Sequence, residues 1–293
     1  MIKSRMEITF EWFLALILLG VTIITLYPVL YVVFASVSDA FLLMRNRGLL
    51  LRPLGFQIEA YRMVLNNPDI ARGYRNTLVI LTLGTAISMT LTILAAYAIS
   101  KTTMFMRYLT FFIVFTMWFS AGMIPFFLVV GMYLGLRNSI WALILPGALS
   151  TFNLLVLRTG FKGVPDSLEE SARMDGAHDF TILFRIFLPL CKANIAVIML
   201  FYMVGFWNAW FNAMLFLTTR DLFPLQLILR EILILNNMHA IMAAGGVALQ
   251  DQIGIAENIR FATVVIATVP ILMVYPFLQK YFVKGVMIGA IKG

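Results

Sequence analysis

The sequence predicts an all-α membrane protein with six transmembrane helices, and two observations support this fold class. Hydrophobic residues make up 61% of the 293 residues and charged residues only 12%, with a mean hydropathy of +0.93, whereas soluble domains average about 45–50% apolar and about 25% charged residues. The apolar residues also form six runs that reach the roughly 20 residues needed to cross a bilayer as a helix. The net charge of +8 does not indicate nucleic-acid binding, because the basic residues are scattered between these runs.

The six runs are interpreted in chain order as transmembrane helices. The first run follows a basic N-terminus but is too long for a cleavable signal peptide, so it is predicted to span the membrane. A basic residue occurs only once within the six runs, as Lys192 near a helix end. A seventh apolar segment, Leu222 to Gln250, has Arg230, Glu231 and His239 near its middle and is predicted to be extramembrane or interfacial. The predicted spans cover residues 12–36, 76–100, 108–134, 139–157, 190–215 and 261–279.

The distribution of Lys and Arg predicts the orientation. With a cytoplasmic N-terminus, the inner side has the larger share of the 22 basic residues, as the positive-inside rule requires. Six crossings then place both termini in the cytoplasm. We predict an N-terminal tail, first helix and outer loop over residues 1–75, a transmembrane core over 76–282 with a cytoplasmic loop at 161–189, and a C-terminal cytoplasmic tail over 283–293.

The predicted cytoplasmic loop contains a charged stretch, SLEESARMDGAHDFTILFRIFLP, at residues 167–189. Ser167 lies three residues before Glu170, which is the spacing of a capping box that starts a helix. Gly176 can end that helix in the left-handed conformation. A second, amphipathic helix is predicted to follow, and Pro189 closes or kinks it. Its single apolar stripe consists of Phe180, Leu183, Phe184, Phe187 and Leu188.

Two interpretations of this stretch are open. It can be an interfacial helix that lies along the membrane and merely connects two spans. However, Glu169, Glu170 and Asp175 give it an acidic end, which anionic cytoplasmic headgroups do not attract. Docking into a cleft of another protein is therefore the favoured interpretation.

The loop resembles that of permease subunits in bacterial ATP-binding-cassette (ABC) importers. Glu170-Ser171-Ala172, Gly176 and Ile186-Phe187-Leu188-Pro189 match the pattern E-A-A-x3-G-x9-I-x-L-P, with Ser171 in place of the usual Ala. Further stretches resemble MalG-like permeases of the carbohydrate uptake group, and some resemble a branch that imports oligosaccharides, including uronate-rich ones such as alginate or pectin fragments. These stretches are RNTLVI, AAYAISK, VFTMWFSAGMIPFFLVV, WNAWFNAMLF, FPLQLILREIL and YFVKGVMIGAIKG.

The resemblance implies a type I permease of the bacterial inner (cytoplasmic) membrane, driven by ATP hydrolysis in partner subunits through a cytoplasmic coupling helix. The implied partners are a second, MalF-like permease in a heterodimer, two ATPase subunits that bind ATP and Mg, an extracytoplasmic solute-binding protein, the carbohydrate and membrane lipid. No nucleic acid is implied, and no cofactor is bound by this chain.

The resemblance also assigns residues to the ATPase contact. In the loop they are Glu169, Glu170, Ser171, Ala172, Asp175, Gly176, Ala177, Ile186, Leu188 and Pro189. In the C-terminal tail they are Lys284, Gly285, Gly289, Lys292 and Gly293.

Amide and aromatic residues of the fourth and fifth predicted spans are candidates for the substrate path, because these groups suit sugar hydroxyls and rings. Helix–helix hydrogen bonding and interfacial anchoring are the alternative roles. The candidates are Asn153, Asn194, Trp207, Asn208, Trp210 and Asn212.

The sequence lacks the features of an enzyme or a metal site. It contains no G-x-x-x-x-G-K-[ST] phosphate-binding loop, and its one cysteine, Cys191, excludes a disulfide within the chain. A secondary transporter would need ionisable residues at mid-membrane, and an intramembrane hydrolase would need polar catalytic groups there. A purely structural membrane subunit would leave the acidic loop unexplained.

Overall fold

The computed structural model describes residues 5–46, 48–101, 103–119, 121–234, 257–273 and 276. Within these ranges the chain is mostly helical and contains no β-strand, which confirms the predicted all-α class. The tail candidates Lys284, Gly285, Gly289, Lys292 and Gly293 lie outside the described residues. The chain divides into two compact units, one formed by Met1–Pro68 with Glu231–Val269 and the other by Asp69–Arg230 with Pro270–Gly293.

The first unit contains a long N-terminal helix and shorter helices packed around a small core. Asp39 caps one short helix, its carboxylate accepting hydrogen bonds from the backbone N–H groups of Phe41 at 2.9 Å and Leu42 at 3.0 Å. The Asn258 amide donates to the Ser38 carbonyl at 2.6 Å and so connects the two chain segments of this unit. Its helices are α1 (Arg5–Ser36), α2 (Ala40–Arg45), α3 (Glu59–Asn66) and α15 (residues 257–273) as far as Val269.

Helix α1 matches the first predicted span. Its most hydrophobic stretch lies within Met6–Ser36 and buries none of its residues inside the protein. Such a long, exposed apolar surface is stable only against lipid or another apolar chain.

The second unit contains the remaining helices and the main hydrophobic core, to which α4, α8 and α12 contribute. Its helices are α4 (Pro68–Ser100), α5 (Met104–Trp118), α6 (Met123–Phe127), α7 (Trp141–Ile144), α8 (Thr151–Lys162), α9 (Asp166–Met174), α10 (Asp179–Ile182), α11 (Leu188–Leu190), α12 (Lys192–Trp207), α13 (Phe211–Phe216) and α14 (Leu225–Ile234). A π-helical turn, Leu128–Tyr133, follows α6, and a second one, Leu183–Phe187, connects α10 to α11.

Small residues allow the helices of the second unit to approach closely. A Cβ atom added to Gly84 of α4 would lie 2.6 Å from the ring of Phe206 in α12. A Cβ atom on Gly160 of α8 would lie 2.4 Å from the Asn194 amide of α12. Close approach at small residues is the usual way in which membrane helices pack.

The structure contains between two and four candidate membrane spans in its described part. Met6–Ser36 and Pro68–Ser100 are each long and apolar enough to cross a bilayer alone. Two helix pairs bent by more than 40° raise the number to four if each pair forms one broken span. The coarse class of a helical membrane protein is therefore confirmed, whereas six crossings stay a prediction. The bent pairs are Met104–Trp118 with Met123–Tyr133 and Asp179–Leu190 with Lys192–Trp207.

Three predicted spans are not continuous helices. The span at 108–134 is interrupted before Gly122, whose φ of +80° does not fit a right-handed helix. The span at 139–157 contains only α7 and the first half of α8, because Pro146 interrupts the run and Ser150 caps α8 through a bond from the Asn153 N–H at 3.4 Å. The span at 190–215 ends as a helix at Trp207, and α13 follows after a short break.

The last predicted span and the outer segment are only partly described. Helix α15, residues 257–273, covers positions 261–273 of the run predicted at 261–279. Helix α14 covers the first part of the segment Leu222 to Gln250, and His239 lies outside the described residues.

Candidate functional site

Helix α9 begins one residue earlier than the capping box predicts. Pro165 occupies the N-cap position, and no side chain caps the helix, so the prediction that Ser167 starts it was wrong. Proline has an extended backbone here, with φ −60° and ψ 132°, and the carboxylate of Asp166 in the first turn interacts favourably with the helix dipole. The predicted end is confirmed, because Gly176 has a φ of +78°.

The predicted apolar stripe after Gly176 does not form one buried face. Leu183 and Phe187 are buried, whereas Phe180 is 68% and Phe184 is 59% exposed. The buried face is formed by Ile182, Leu183 and Phe187 instead, and a π-helical turn at Leu183–Phe187 forms part of it. The kink expected at Pro189 is confirmed by an 86° bend between Asp179–Leu190 and α12.

One carboxylate of α9 is bonded within the chain. Lys101 follows the last turn of α4, and its ammonium group donates to both Glu169 carboxylate oxygens at 2.5 Å. The Arg173 guanidinium donates to Glu169 Oε1 at 3.0 Å and to Asp179 Oδ1 of α10 at 2.5 Å. These four residues, Lys101, Glu169, Arg173 and Asp179, form what we call the inner charge cluster, and they connect α4, α9 and α10.

The inner charge cluster fixes the ionisation of Glu169. Burial disfavours the charged form, but the hydrogen bonds and positive charges of Lys101 and Arg173 outweigh it and lower the pKa of Glu169 below the ordinary glutamate value. Hydrogen bonds to Glu169 and Asp179 raise the pKa of the Arg173 guanidinium. Because the folded-state pKa of Glu169 is the lower one, its pairing adds stability above the ordinary glutamate range and is lost as the pH falls through the lowered pKa.

Lys101 lies against aromatic rings. Its Nζ atom lies 4.2 Å from the centroid of the Tyr97 ring and 5.1 Å from that of the Phe187 ring, distances at which a cation is attracted by the ring faces. Tyr97 and Phe187 also pack edge to face, with their centroids 5.2 Å apart. Close by, Arg158 of α8 donates to the Ile99 carbonyl at 2.9 Å and so satisfies one of the free carbonyls at the end of α4.

The other carboxylate predicted for the ATPase contact is exposed. The Glu170 side chain has no hydrogen bond or ion pair within the described part of the chain. Large apolar side chains of the same segment are exposed too, since Met174 is 89% exposed and Phe180 and Phe184 are more than half exposed. We call these four exposed side chains, Glu170, Met174, Phe180 and Phe184, the outward face.

The remaining predicted loop residues divide into two groups. Ser171, Asp175 and Pro189 are exposed. The others are half-buried and pack against the main hydrophobic core, so they hold the segment on the bundle. This second group consists of Ala172, Ala177, Ile186 and Leu188.

Two of the six substrate-path candidates line one cleft. Asn153 of α8 and Asn212 of α13 lie on a cleft of about 450 Å³ together with the rings of Phe152, Phe201 and Phe206. Asn153 is only 5% exposed, and neither amide side chain has a hydrogen-bond partner among the described residues. We call this cleft the cargo cleft because two of the residues predicted for the substrate path line it, and no Asp, Glu, Lys, Arg or His is among its described lining residues.

A hydroxyl network holds one wall of the cargo cleft. The Tyr202 hydroxyl of α12 accepts from the Ser150 backbone N–H at 3.0 Å and shares a hydrogen bond of 2.7 Å with the Thr92 hydroxyl of α4. Both hydroxyl groups are buried. Three helices therefore meet at the place where α8 begins.

The other four path candidates have different surroundings. Asn194 packs against Gly160, and the Trp207 ring packs against Tyr74 at 6.3 Å between centroids. These contacts fit the helix-packing alternative. Asn208 donates to the Val204 carbonyl at 2.9 Å, and Trp210 lies 5.2 Å from the Arg230 guanidinium.

Sequence reasoning did not identify Lys101 and Tyr202 as functional residues. Lys101 ends the stretch AAYAISK, and a basic residue directly after a predicted span was the available signal. Tyr202 had no such signal, because its position in an apolar run is that of an ordinary membrane-helix residue.

The chain matches known transport proteins over nearly all its length. The family model for "binding-protein-dependent transport system inner membrane component" matches residues 88–288. The polygalacturonan/rhamnogalacturonan transport system permease protein YtcP of Bacillus subtilis (strain 168) is 41% identical over 278 residues, covering 94% of this chain and 96% of the relative. Protein LplC of the same organism is 40% identical over 275 residues, covering 94% of this chain and 92% of the relative.

The fold is also similar to that of a transport protein whose structure has been solved. The fold superimposes with a TM-score of 0.88 on a chain of a bacterial ABC transporter involved in the import of the acidic polysaccharide alginate. That chain is 33% identical, and the match covers 96% of this chain and 99% of the other. The relatives are transport permeases, which confirms the predicted resemblance and the prediction that the chain is not an enzyme. The chain therefore belongs to the family of binding-protein-dependent transport system inner membrane components.

Proposed function

We propose that this permease subunit of an ABC importer takes up uronate-rich oligosaccharides and is driven by partner ATPases through helix α9 and the bend at Gly176. The observation that carries the proposal is the contrast between the two neighbouring carboxylates of α9. Glu169 is bonded within the chain, whereas Glu170 is exposed at the outward face. This segment is thus both fastened to the bundle and open to a partner.

The outward face fits a protein partner better than a lipid surface. Exposed large apolar side chains next to an unpaired charge are typical of protein interfaces, in which apolar anchors fill pockets and charges fix the register. An acidic residue would be repelled by anionic headgroups at the cytoplasmic surface. The ATPase contacts that the family resemblance assigns to Glu170, Ser171, Asp175 and Gly176 fall on exposed positions, as docking requires.

The cargo class comes from the relatives, and the cargo cleft is compatible with it. YtcP is a polygalacturonan/rhamnogalacturonan permease, and the structural neighbour belongs to an importer of an acidic polysaccharide. Aromatic rings beside unpaired amides suit sugar rings and hydroxyls. Since the described lining of the cleft has no cation, we propose that Asn153 and Asn212 contact hydroxyl groups and that the carboxylates are recognised by other subunits.

The complete importer includes further chains in this proposal. We propose a second permease as the heterodimer partner, two ATPases that bind ATP and Mg, and an extracytoplasmic solute-binding protein, which the family description implies. Both termini lie in the cytoplasm in this arrangement. The tail from Lys284 to Gly293 is proposed to contact the ATPase as well.

The proposal is tested on the complete importer reconstituted in lipid vesicles. We expect ATP hydrolysis to rise when the solute-binding protein is loaded with oligogalacturonate, and to stay at the basal rate with maltodextrin of the same length. We expect Glu170→Lys to lower the stimulation more than about tenfold, because the loss of one partner from a buried, hydrogen-bonded charge pair already costs about 2–5 kcal/mol. Glu59→Lys, at an exposed carboxylate of α3, is the control and should retain the stimulation.

The two parts of the proposal fail separately. Stimulation of the Glu170→Lys importer at the wild-type level would disprove the role of the outward face. Stimulation by maltodextrin but not by oligogalacturonate would disprove the cargo class.

A further inference from the structure

We propose that Lys101 is a positioning residue that fastens helix α9 to the end of α4, so that a displacement of α9 also displaces α4. This inference rests on the proposed role of α9 in docking the ATPase. In this proposal, the ion pair of Lys101 with Glu169 transmits the displacement of α9 to α4. The two residues are 68 positions apart in the sequence.

Besides this ion pair, helix α9 is held by the bond from Arg173 to Asp179 of α10 and by the packing of Ala172 against the core. None of its residues is fully buried. At one end it follows Gly163 and Pro165, and at the other end it meets Gly176 with a φ of +78°. A short helix between two such turns can pivot unless side chains bind it to its neighbours.

Both side chains of the ion pair are partly buried, and this burial strengthens their attraction. The side chain of Glu169 is 17% exposed and that of Lys101 is 28% exposed, so the pair is less screened than a surface pair. Both carboxylate oxygens accept from the same ammonium group. The rings of Tyr97 and Phe187 hold that ammonium from the other side.

The ion pair continues into α4 and from there to the cargo cleft. Tyr97 belongs to α4, and so does Thr92, whose hydroxyl is hydrogen-bonded to Tyr202 at 2.7 Å. Tyr202 in turn accepts from the Ser150 N–H, where α8 begins beside the cleft. A contiguous chain of bonded and packed groups thus leads from α9 to the cleft, which is the physical requirement for coupling between two sites.

The experiment compares Lys101 variants in the complete importer. Lys101→Met removes the charge and keeps an apolar stem of similar length, and Lys101→Arg keeps the charge. Cargo molecules imported per ATP hydrolysed are measured, together with the amount of ATPase that co-purifies. We expect Lys101→Met to lower import per ATP by about 5-fold or more, the lower range of coupling between distinct sites, while the ATPase stays bound. Lys101→Arg should restore import per ATP.

A double-mutant comparison tests whether the ion pair itself is responsible. Glu169→Gln should lower import per ATP to a similar extent, and Lys101→Met combined with Glu169→Gln should be no worse than either change alone, because both remove one interaction. If Lys101→Met does not assemble, Glu169→Gln and its comparison with wild type give the same test. Wild-type import per ATP in both single variants, or losses that multiply in the double variant, would overturn the proposal.

The outcomes also separate this inference from the proposed docking role. Loss of stimulation in Glu170→Lys with wild-type import per ATP in Lys101→Met leaves the docking role intact and overturns the role of Lys101. Loss in Lys101→Met with full stimulation in Glu170→Lys supports the link between α9 and α4, and overturns only the docking role of the outward face.

Discussion

The two ends of helix α4 each have a cluster of two basic and two acidic side chains, but they are fastened differently. At its first turns Arg72 is paired with Asp69 and Asp221, and Arg220 is paired with Asp69. Behind this outer charge cluster, the Asn76 amide donates to the carbonyls of residues 221 and 223 at 2.7 and 3.1 Å. At this end, hydrogen bonds to the backbone therefore connect α4 to residues 221–223 in addition to the ion pairs.

The outer end is also closely packed. The Thr77 hydroxyl accepts from the Leu225 N–H at 2.9 Å. A Cβ atom on Gly73 would lie 2.7 Å from Ile228 and 3.1 Å from the Leu225 backbone, so α4 and α14 leave no room for an added methyl group.

Among the described residues, the inner end has no comparable backbone bonds to α9. There the ion pair of Lys101 with Glu169 and the packing of Ala172 and Ala177 connect the bundle to a helix without a fully buried residue. In the proposed coupling we therefore expect the outer end to be a fixed joint and the inner end a movable one. A displacement applied through α9 would then move one end of α4 relative to the other.

The largest expected effect tests the fixed joint. Asn76→Leu leaves two backbone carbonyls without their donor, which costs about 1–3 kcal/mol for each group that becomes buried and unpaired. We expect a clearly lower unfolding temperature in detergent and unchanged import per ATP in the protein that folds. Thr82→Val, at an exposed position of the same helix, is the matched control and should unfold near the wild-type temperature.

Two results would break the comparison at the outer end. An Asn76→Leu protein as stable as the wild type would show that the backbone bonds do not fasten this end. A loss of import per ATP larger than that of Lys101→Met would show that the outer end, too, takes part in the movement.

The next effect tests the movable joint. Gly176 has a φ of +78°, and nothing lies within 4 Å of the position of an added Cβ atom. Gly176→Val therefore introduces backbone strain rather than a clash, at a cost of about 1–2 kcal/mol. We expect it to lower stimulation of the ATPase about tenfold, because the relief of strain turns the outward face away from its docked position.

Asparagine provides the control at the same position. It tolerates the left-handed conformation better than other non-glycine residues, so Gly176→Asn should retain most of the stimulation although it also adds a side chain. Equal losses in Gly176→Val and Gly176→Asn would show that the bulk of the side chain matters, and that the backbone conformation at the bend does not.

Local patterns predicted part of this arrangement correctly. The apolar runs predicted helices that match α1 and α4, and Gly176 predicted the end of α9. These features depend on residues close in sequence, for which the pattern contains the physical cause. The loop motif also located the segment with the outward face, although its contact with the ATPase stays a prediction.

Features that depend on distant residues or on unusual backbone were not predictable. Nothing near Lys101 in the sequence indicates that Glu169 is its partner. The apolar pattern after Gly176 also does not indicate that Phe180 and Phe184 are exposed while Leu183 and Phe187 are buried. Ser167 was predicted as the cap because its spacing to Glu170 fits a capping box, yet Pro165 already has the backbone conformation of an N-cap.

The smallest expected effect concerns the cargo cleft, which has no ionisable cluster at all in its described lining. Asn153→Leu removes one amide from the cleft and keeps a side chain of similar size, so one hydrogen bond worth about 1 kcal/mol is lost. Because 1.4 kcal/mol corresponds to a factor of ten, we expect the KM for import to rise about fivefold, with little change in import per ATP. Asn208→Leu is the matched control, since its amide is already bonded to the Val204 carbonyl, and its KM should change less.

A KM for Asn153→Leu equal to that of the wild type would remove Asn153 from the path. A change in import per ATP would instead place Asn153 in the coupling chain that leads from Lys101, and the distinction between a neutral cleft and charged joints would no longer hold.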